Sequence, residues 1–520
     1  MDRQINTLPR TILIYGACVV VAIVLGYMVS NPLAKKNMLV AGGILGIVCS
    51  PILLKWYHPL LIFSWNASIV FYFLPGKPNI VFLMSVVGFA LAFLSRCMSV
   101  KFRFYNDRFL TVALIAFVAA ICLTILTSGG IGLRALGSES HGGKKYFFIF
   151  GAIVGYFALV SRTIPRRRAM FYAGAFLLSS LTAMLSYPIY FAGSIAYPLF
   201  NFFPPEIMGL QGIEGMYGSG GMVRLAGLSV SGAACSYFML MRYGVRGLLN
   251  VHKPWRGLLF LLLVGASMMG GFRSTLLLIG LTFAIQFYLE GLHKTRYLPV
   301  LAAAGLALFV LTIPFIKFMP LSVQRTLSVL PVEVDPVAEM DARVSTEWRV
   351  DMWRRLWPMI PQYFWQGKGY SIDPVDMFFA EQGVLRGTMK SFEPYLIAGE
   401  YHNGGLSVLI GFGIFGLIGF LAVAAASVRI LYRHYRRGDP KLLTLNTFFL
   451  AHFTARLISF FAVYGSISAD MFTFMGFVGL SVALNGEERT AKSEENLEAE
   501  VVEHGGREVE NATRPALCPA

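Results

Sequence analysis

The sequence is short of charge. Only 14% of its 520 residues are Asp, Glu, Lys or Arg, while 56% are hydrophobic. Because a soluble domain usually carries about 25% charged residues, this composition excludes an ordinary soluble enzyme. It also excludes intrinsic disorder for most of the chain, because disordered segments have too little apolar surface to bury.

Motifs for C-x-x-C, zinc-protease and P-loop chemistry are missing as well. No C-x-x-C pair, H-E-x-x-H motif or P-loop pattern occurs. Five of the six cysteines lie in or beside apolar runs: Cys18, Cys49, Cys97, Cys122 and Cys235. We therefore expect no disulfide framework, no metal site and no bound cofactor.

What the sequence has in abundance is long apolar runs. A helix needs about 20 apolar residues to cross a bilayer, and fourteen runs come close to that length. They are 11–30, 38–54, 58–75, 79–97, 109–127, 146–162, 169–187, 225–242, 257–271, 274–291, 297–317, 404–427, 441–463 and 467–484. The count falls to twelve or thirteen if 257–291 is one re-entrant hairpin. We predict an all-α polytopic membrane protein with 12–14 transmembrane helices in a single domain, 1–485.

The basic residues fix an orientation. With the N-terminus (Arg3, Arg10) in the cytoplasm, the Lys and Arg clusters of five loops all fall on the cytoplasmic side. Lys35 and Lys36, which fall outside in the first turn, are the weak point of this topology. These loops are 96–108, 162–168, 242–256, 294–296 and 429–441. The formal net charge of +16 is thus explained by topology, and a nucleic-acid partner is not expected. We predict a multi-pass membrane protein with both termini cytoplasmic.

Two long segments fall on the opposite, outer side. The first, 188–224, is rich in aromatic residues and glycine, and the second, 318–403 (the outer segment), carries more acidic than basic side chains. A connection as long as the outer segment is usually functional, and we expect short helices in it. The acidic tail 486–520 is predicted to be disordered and cytoplasmic.

Arg273 is the first candidate for chemistry. It lies in GGFRSTLLLIG, at the outer start of an apolar run. The helix dipole disfavours a cation there, and charge is costly near the bilayer, so a bound anion would relieve both effects. The alternative is an arginine that only reaches the lipid headgroups.

Arg349 and Trp353 form an R-x-x-x-W pattern in STEWRVDMWRRLWPMIP of the outer segment. We expect a helix capped by Ser345 or Thr346 and ended by Pro358, with Arg349 and Trp353 on one face. A cation beside tryptophan suits a sugar-stacking surface, or simply an amphipathic helix at the membrane interface.

His402 and Arg224 are the remaining candidates. His402 lies in GEYHNGG, where the outer segment re-enters the membrane, and a histidine there can accept a proton near neutral pH. Glu400 and Asn403 are close enough in sequence to orient its ring. Arg224, in GSGGMVRLAGL, ends a glycine-rich stretch before a span. Each is equally compatible with an interfacial anchor when taken alone.

Together these segments resemble the O-antigen ligase and polymerase superfamily. The similarity lies in GGFRSTLLLIG, in RVDMWRRLWPMIP with GKGYS after it, in HNGGLSVLIGFGIFGLIGF and, upstream, in VRLAGL. It covers about 220–425. Glycines follow His402-Asn403 where the family often has other residues, and fourteen spans exceed the commoner number near twelve.

The resemblance implies a membrane-embedded glycosyltransferase of the bacterial inner membrane that needs no metal and acts at the periplasmic face. Its donor would be a glycan on a polyprenyl diphosphate, and its acceptor a lipid A core sugar, a growing glycan or a protein hydroxyl. Arg273, Arg349 and His402 would be catalytic, and Arg224, Trp353, Glu400 and Asn403 would bind substrate.

Three alternatives remain. A transporter or flippase for an anionic lipid-linked sugar would also need outer arginines. A metal-dependent lipid-linked glycosyltransferase would carry acidic residues in its first outer loop, which here reads NPLAKKN. No specific feature favours a non-catalytic membrane scaffold.

Overall fold

The structure is a computed structural model that describes most of the chain. It covers 54–98 without Pro75, 107–128, 142–204 and 224–486, and seven isolated positions before residue 54. The chain divides into two compact units, 1–57 and 58–520. The spans predicted at 11–30 and 38–54 lie almost entirely outside the described residues, as do 205–223 and the tail from 487 onward.

Helices make up the regular structure of the described ranges, which confirms the predicted all-α class. An isolated antiparallel bridge joins Val70 and Asn79. The α-helices are α1 (Ile80–Met98), α2 (Arg108–Thr127), α3 (Lys144–Leu159), α4 (Ala169–Leu178), α5 (Ser186–Phe191), α6 (Ala226–Leu248), α7 (Trp255–Met268), α8 (Arg273–Leu289), α9 (Tyr297–Thr312), α10 (Leu321–Leu327), α11 (Pro336–Leu356), α12 (Ile360–Tyr363), α13 (Pro374–Leu385), α14 (Glu393–Ile397), α15 (Gly404–Arg437), α16 (Leu443–Ala462) and α17 (Ile467–Leu484).

Seven helical stretches of the described residues are long and apolar enough to cross a membrane. They are Ile80–Cys97, Arg108–Thr127, Arg166–Phe191, Tyr297–Phe318, Gly404–Arg437, Pro440–Ala462 and Ile467–Leu484. Two shorter apolar helices, α7 and α8, occupy the predicted runs 257–271 and 274–291. The chain is thus a multi-pass membrane protein, while the total of fourteen spans stays a prediction.

The span predicted at 58–75 is wrong. Helical structure ends at residue 64, and the apolar stretch after it bends back on itself through the Val70–Asn79 bridge. Asn66 donates a side-chain hydrogen bond to the carbonyl of Phe176 (2.8 Å), and the Ser68 N–H bonds to the Thr182 hydroxyl (2.8 Å). The backbone therefore pairs with other parts of the protein where a helix would have continued, and apolar composition alone does not distinguish the two.

The helices differ sharply in how much of their surface the protein covers. In α17, 89% of the residues are buried, and this helix forms the centre of the bundle. In the stretch that contains α9, only 6% of the residues are buried. Gly476 and Gly479 let α17 approach Trp65 and Leu159 closely, since an added Cβ would contact both side chains. A helix as apolar and as exposed as α9 is a lipid-facing helix.

The outer segment begins and ends on membrane helices and contains α10 to α14. α11 starts ten residues before the predicted cap: Asp335 caps it by accepting from the N–H of Val337 (2.8 Å), and Pro336 occupies its first position. The predicted cap at Ser345 or Thr346 is therefore wrong, because an Asp-Pro start is a stronger helix signal than a Ser-Thr pair. The predicted end is close to the observed one, as α11 ends at Leu356.

The outer segment is joined to α15 where that helix is interrupted. Gly413 has φ +69°, and its neighbour Ile414 donates its N–H to the carbonyl of Phe364 (2.6 Å). Two more N–H groups, of Lys368 and Gly369, bond to carbonyls of α15 (2.7 and 3.0 Å). The glycine-rich turn GKGYS thus completes the hydrogen bonding of a broken membrane helix.

Candidate active site

Arg273 begins α8 and reaches the face of α11. Its Nη2 donates to the carbonyl of Ala342 and to the Thr346 hydroxyl, both at 2.9 Å. The turn before it requires Gly271, whose φ is +68°. Arg273 is therefore held against α11 through neutral groups, and its positive charge has no ion-pair partner among the described residues.

Arg349 lies further along α11, close to a tyrosine from the end of the chain. Its Cζ is 6.0 Å from the ring centroid of Tyr464, which lies between α16 and α17. Burial lowers the pKa of Arg349; the Tyr464 phenol opposes this, and the charge of Arg325 adds to it. Arg349 has no ion pair within the described ranges either. Two half-buried guanidinium groups therefore lie at α11 without a carboxylate to neutralise their charge.

His402 lies against the same tyrosine. Its ring centroid is 5.0 Å from that of Tyr464 and 5.1 Å from that of Trp348, both with edge-to-face geometry. His402 has φ +53°, a conformation uncommon for any residue but glycine, and it persists only where the surroundings impose it. The Nδ1 atom is buried without a hydrogen-bond partner in the described chain.

The electrostatics keep His402 neutral. Burial lowers the pKa of its imidazole below 6.5, and the Arg349 charge lowers it further, while Glu400 opposes both. A neutral imidazole has a free lone pair, so this histidine is able to accept a proton at neutral pH.

Asp341 holds a second pair of arginines together. Its Oδ2 accepts from Arg224 (2.7 Å) and from the Nε of Arg325, and Arg325 also donates to the carbonyl of Gly271. Arg325 is buried, with only 5% of its surface exposed. Because Gly271 precedes Arg273 by two residues, the Asp341 contacts fix the turn that presents Arg273.

The three predicted catalytic side chains are thus neighbours in space. Arg273, at the start of α8, donates to Thr346 of α11, three residues before Arg349. Arg349 and His402 both lie beside the ring of Tyr464. Four arginines (Arg224, Arg273, Arg325 and Arg349) share this region with the one carboxylate that pairs with any of them in the described residues.

Comparison with known proteins agrees with this geometry. Residues 257–421 match the O-antigen ligase family. The resemblance found in the sequence is confirmed, and it supports a membrane glycosyltransferase of the O-antigen ligase type. No curated protein matches the chain.

The O-antigen ligase match includes some of the site and leaves some outside. Arg273, Arg349 and His402 lie within it, while Arg224 and Tyr464 fall before and after it. Residues that precede and follow the matched region therefore complete the site.

The other predicted residues hold the segment around His402. Trp353 donates its Nε1–H to the carbonyl of Tyr401 (2.9 Å), and Asn403 caps α15 by accepting from the N–H of Leu406 (3.0 Å). Glu400 forms an ion pair with Lys145 (3.0 Å). Neither Glu400 nor Asn403 forms a hydrogen bond to the His402 ring in the described chain, and their role in orienting it stays a prediction. A direct role of Arg224, Trp353, Glu400 and Asn403 in substrate binding stays a prediction.

Sequence reasoning missed Arg325, Asp341 and Tyr464. Nothing in the local sequence separates Arg325 and Asp341 from the other charged residues of the outer segment. Tyr464 carried a usable signal, because it lies in the short polar turn YGSIS between two spans on the predicted outer side. An aromatic residue there is also typical of a membrane interface, so the residue type alone does not indicate a functional role.

Proposed function

We propose that this protein transfers a glycan from a polyprenyl-diphosphate carrier to a hydroxyl group of an acceptor at the periplasmic face, without a metal ion. The observation that supports this most is the convergence of Arg273, Arg349 and His402 around α11 and Tyr464. It combines a site for an anion with a base in one place.

The two arginines provide the anion site. Neither forms an ion pair with a carboxylate in the described chain, and a guanidinium group binds phosphate oxygens in two places at once. The diphosphate gains negative charge as its bond to the sugar breaks. Fixed cations aimed at that charge stabilise the transition state more than the bound substrate, which is how they accelerate the reaction.

His402 provides the base. The acceptor hydroxyl gives its proton to the neutral imidazole, and the oxygen attacks the anomeric carbon of the donor sugar. The bond between that carbon and the phosphate oxygen breaks, and its electron pair leaves with the diphosphate. The low pKa of His402 keeps the ring ready for the proton before the transfer.

The acceptor belongs to the same chemical class whichever molecule carries it. A lipid A core sugar, a growing glycan and a protein side chain all offer a hydroxyl group. A flippase would use the same arginines for the diphosphate but would need no base beside them. The position of His402 within the arginine cluster therefore favours transfer over transport.

Transfer from a purified lipid-linked oligosaccharide tests the proposal. We expect the protein in nanodiscs to form product with candidate acceptors in the presence of EDTA. His402→Ala should slow transfer about 100-fold, the usual contribution of a positioned general base, and leave donor binding intact. His252→Ala, which removes an exposed histidine elsewhere, is the matched control.

Two results would contradict the proposal. Translocation of the lipid-linked glycan across a vesicle membrane without any transfer product would establish the flippase. Activity that EDTA abolishes and magnesium or manganese restores would overturn metal independence.

A further inference from the structure

A cavity of about 290 Å³ opens beside Tyr464, enclosed by helices of the bundle. Tyr464 lines it on one side, and Ser274 and Thr275, which directly follow Arg273, line it on another. The cavity therefore adjoins the arginine and histidine site through two of its elements.

The polar lining of the cavity is rich in hydroxyl groups that have no protein partner. Five serine and threonine side chains contribute such groups: Ser180, Ser274, Thr275, Ser459 and Thr473. None of these hydroxyls makes a hydrogen bond to another described residue. Because a polar group shielded from bulk water costs free energy unless it is hydrogen-bonded, this lining suits a ligand that offers both donors and acceptors.

Arg456 adds a fixed cation to the same wall. It lies within the apolar span Pro440–Ala462, where a charged side chain is costly and is a functional candidate by default. One of its terminal nitrogens pairs with Asp470, which also accepts from the N–H of Ser466 (2.9 Å). Its Nε is buried without a partner among the described residues. The pairing with Asp470 holds the guanidinium group in place and leaves part of it for a ligand.

We propose that this cavity binds the single sugar that is attached directly to the diphosphate of the donor. The inference rests on the proposed function. Arg273 would hold the diphosphate, and the next two residues along the chain, Ser274 and Thr275, would contact the sugar bonded to it. The hydroxyl groups of the lining match the hydroxyl groups of a pyranose, each able to donate and to accept.

The size and polarity of the cavity exclude the other parts of the donor from it. Ligand pockets usually measure about 300–1,000 Å³, so a cavity at the lower limit holds one ring and not an oligosaccharide. A polyprenyl tail would leave five hydroxyl groups and the Nε of Arg456 without partners, which a polar site strongly disfavours. The tail and the distal sugars must then extend out of the cavity in other directions.

The test compares two probes on the full-length protein in nanodiscs: polyprenyl diphosphate without sugar and polyprenyl diphosphate carrying one sugar. We expect the wild type to bind the glycosylated probe more tightly. The Ser459→Ala/Thr473→Val double variant should lose roughly tenfold in affinity for the glycosylated probe only, because it removes two hydrogen-bonding groups. Thr454→Val, on α16 but outside the cavity lining, is the matched control and should change neither affinity.

The remaining outcomes are distinguishable. Unchanged affinity of the double variant for the glycosylated probe overturns the proposal and makes the cavity a water pocket. An equal loss for both probes at an unchanged melting temperature also overturns it, because the cavity then serves the diphosphate. If the double variant melts earlier, Ser180→Ala on a separate wall repeats the comparison. A wild type that binds neither probe refutes the proposed function itself.

Discussion

The arginine cluster has two halves that differ in how their charge is balanced. In the framework half, Arg224 and Arg325 share the carboxylate of Asp341. In the open half, Arg273 and Arg349 contact only neutral groups, namely a carbonyl, a hydroxyl and an aromatic ring. Both halves lie against α11, so they differ in how their charge is balanced and not in where they lie.

The difference separates structure from chemistry. A guanidinium group that is buried and ion-paired is costly to disturb and has little charge left for a ligand. One that is half-buried and unpaired keeps its charge, and only a bound anion compensates it. The framework half should therefore govern stability and the open half transfer, and the following predictions test that division.

The largest effect is expected for Asp341→Asn. Without the carboxylate, Arg325 becomes a buried charge with a carbonyl as its remaining partner, and loss of one member of a buried pair costs about 3–5 kcal/mol. Thermal unfolding in detergent should show a clear fall in melting temperature. Glu347→Gln, which removes an exposed ion pair with Arg343 on the same helix, should leave it almost unchanged. Equal melting temperatures for the two variants would show that Asp341 is not a structural residue.

Arg273→Lys comes second. Lysine keeps the charge and loses the forked geometry, so stabilisation of the departing diphosphate should fall by ~2.7–4 kcal/mol, or roughly 100-fold or more in transfer rate. The melting temperature should stay close to that of the wild type. Arg343→Lys, an exposed site on α11, serves as the comparison. Full activity of Arg273→Lys would place Arg273 in the framework half.

Arg349→Gln should shift the pH profile. The positive charge of Arg349 disfavours protonation of His402 and lowers its pKa. Without that charge the pKa rises, and because the base must be neutral, the acidic limb of kcat/KM against pH should move to higher pH. The exposed Arg354→Gln should leave the limb in place. An unshifted limb in Arg349→Gln would mean that His402 is not the base that the profile reports.

The smallest effect is expected for Trp353→Phe. The variant loses the hydrogen bond from Nε1 to the carbonyl of Tyr401, worth about 1 kcal/mol, next to His402. We expect kcat to fall several-fold at unchanged donor affinity. Trp357→Phe, on a side chain that is 70% exposed, should have no effect. A matching loss of donor affinity in Trp353→Phe would instead support the predicted contact between Trp353 and substrate.

Much of the fold could be predicted from length and polarity. Runs such as 467–484 appear as helices with the predicted bounds, because an apolar segment of that length has few other conformations in a bilayer. Polarity could not show that 65–79 bends back on itself, since its apolar side chains pack equally well in either arrangement. Nor did it indicate the early start of α11, which depends on the local chemistry of Asp335 and Pro336.

The candidate site divides in the same way. Arg273 stands out in the sequence because a cation at a helix start is locally unfavourable, and His402 because it lies where a long polar segment returns to the membrane. Arg325 and Arg456 could not be assigned, because their importance comes from partners that are distant in the chain or brought close only by helix packing, namely Gly271 and Asp470. Tertiary contacts, and not local pattern, give those residues their meaning.

The interruption of α15 has a consequence for engineering. The backbone of 364–369 forms hydrogen bonds to the backbone of 410–414. This contact requires Gly367 and Gly413, because a side chain at either position would collide with the backbone of the other segment. A chimera that exchanges only the outer segment with that of a protein that also matches the O-antigen ligase family would leave these groups mismatched. The smallest interchangeable module is therefore 318–414, which carries part of a membrane helix along with the outer segment.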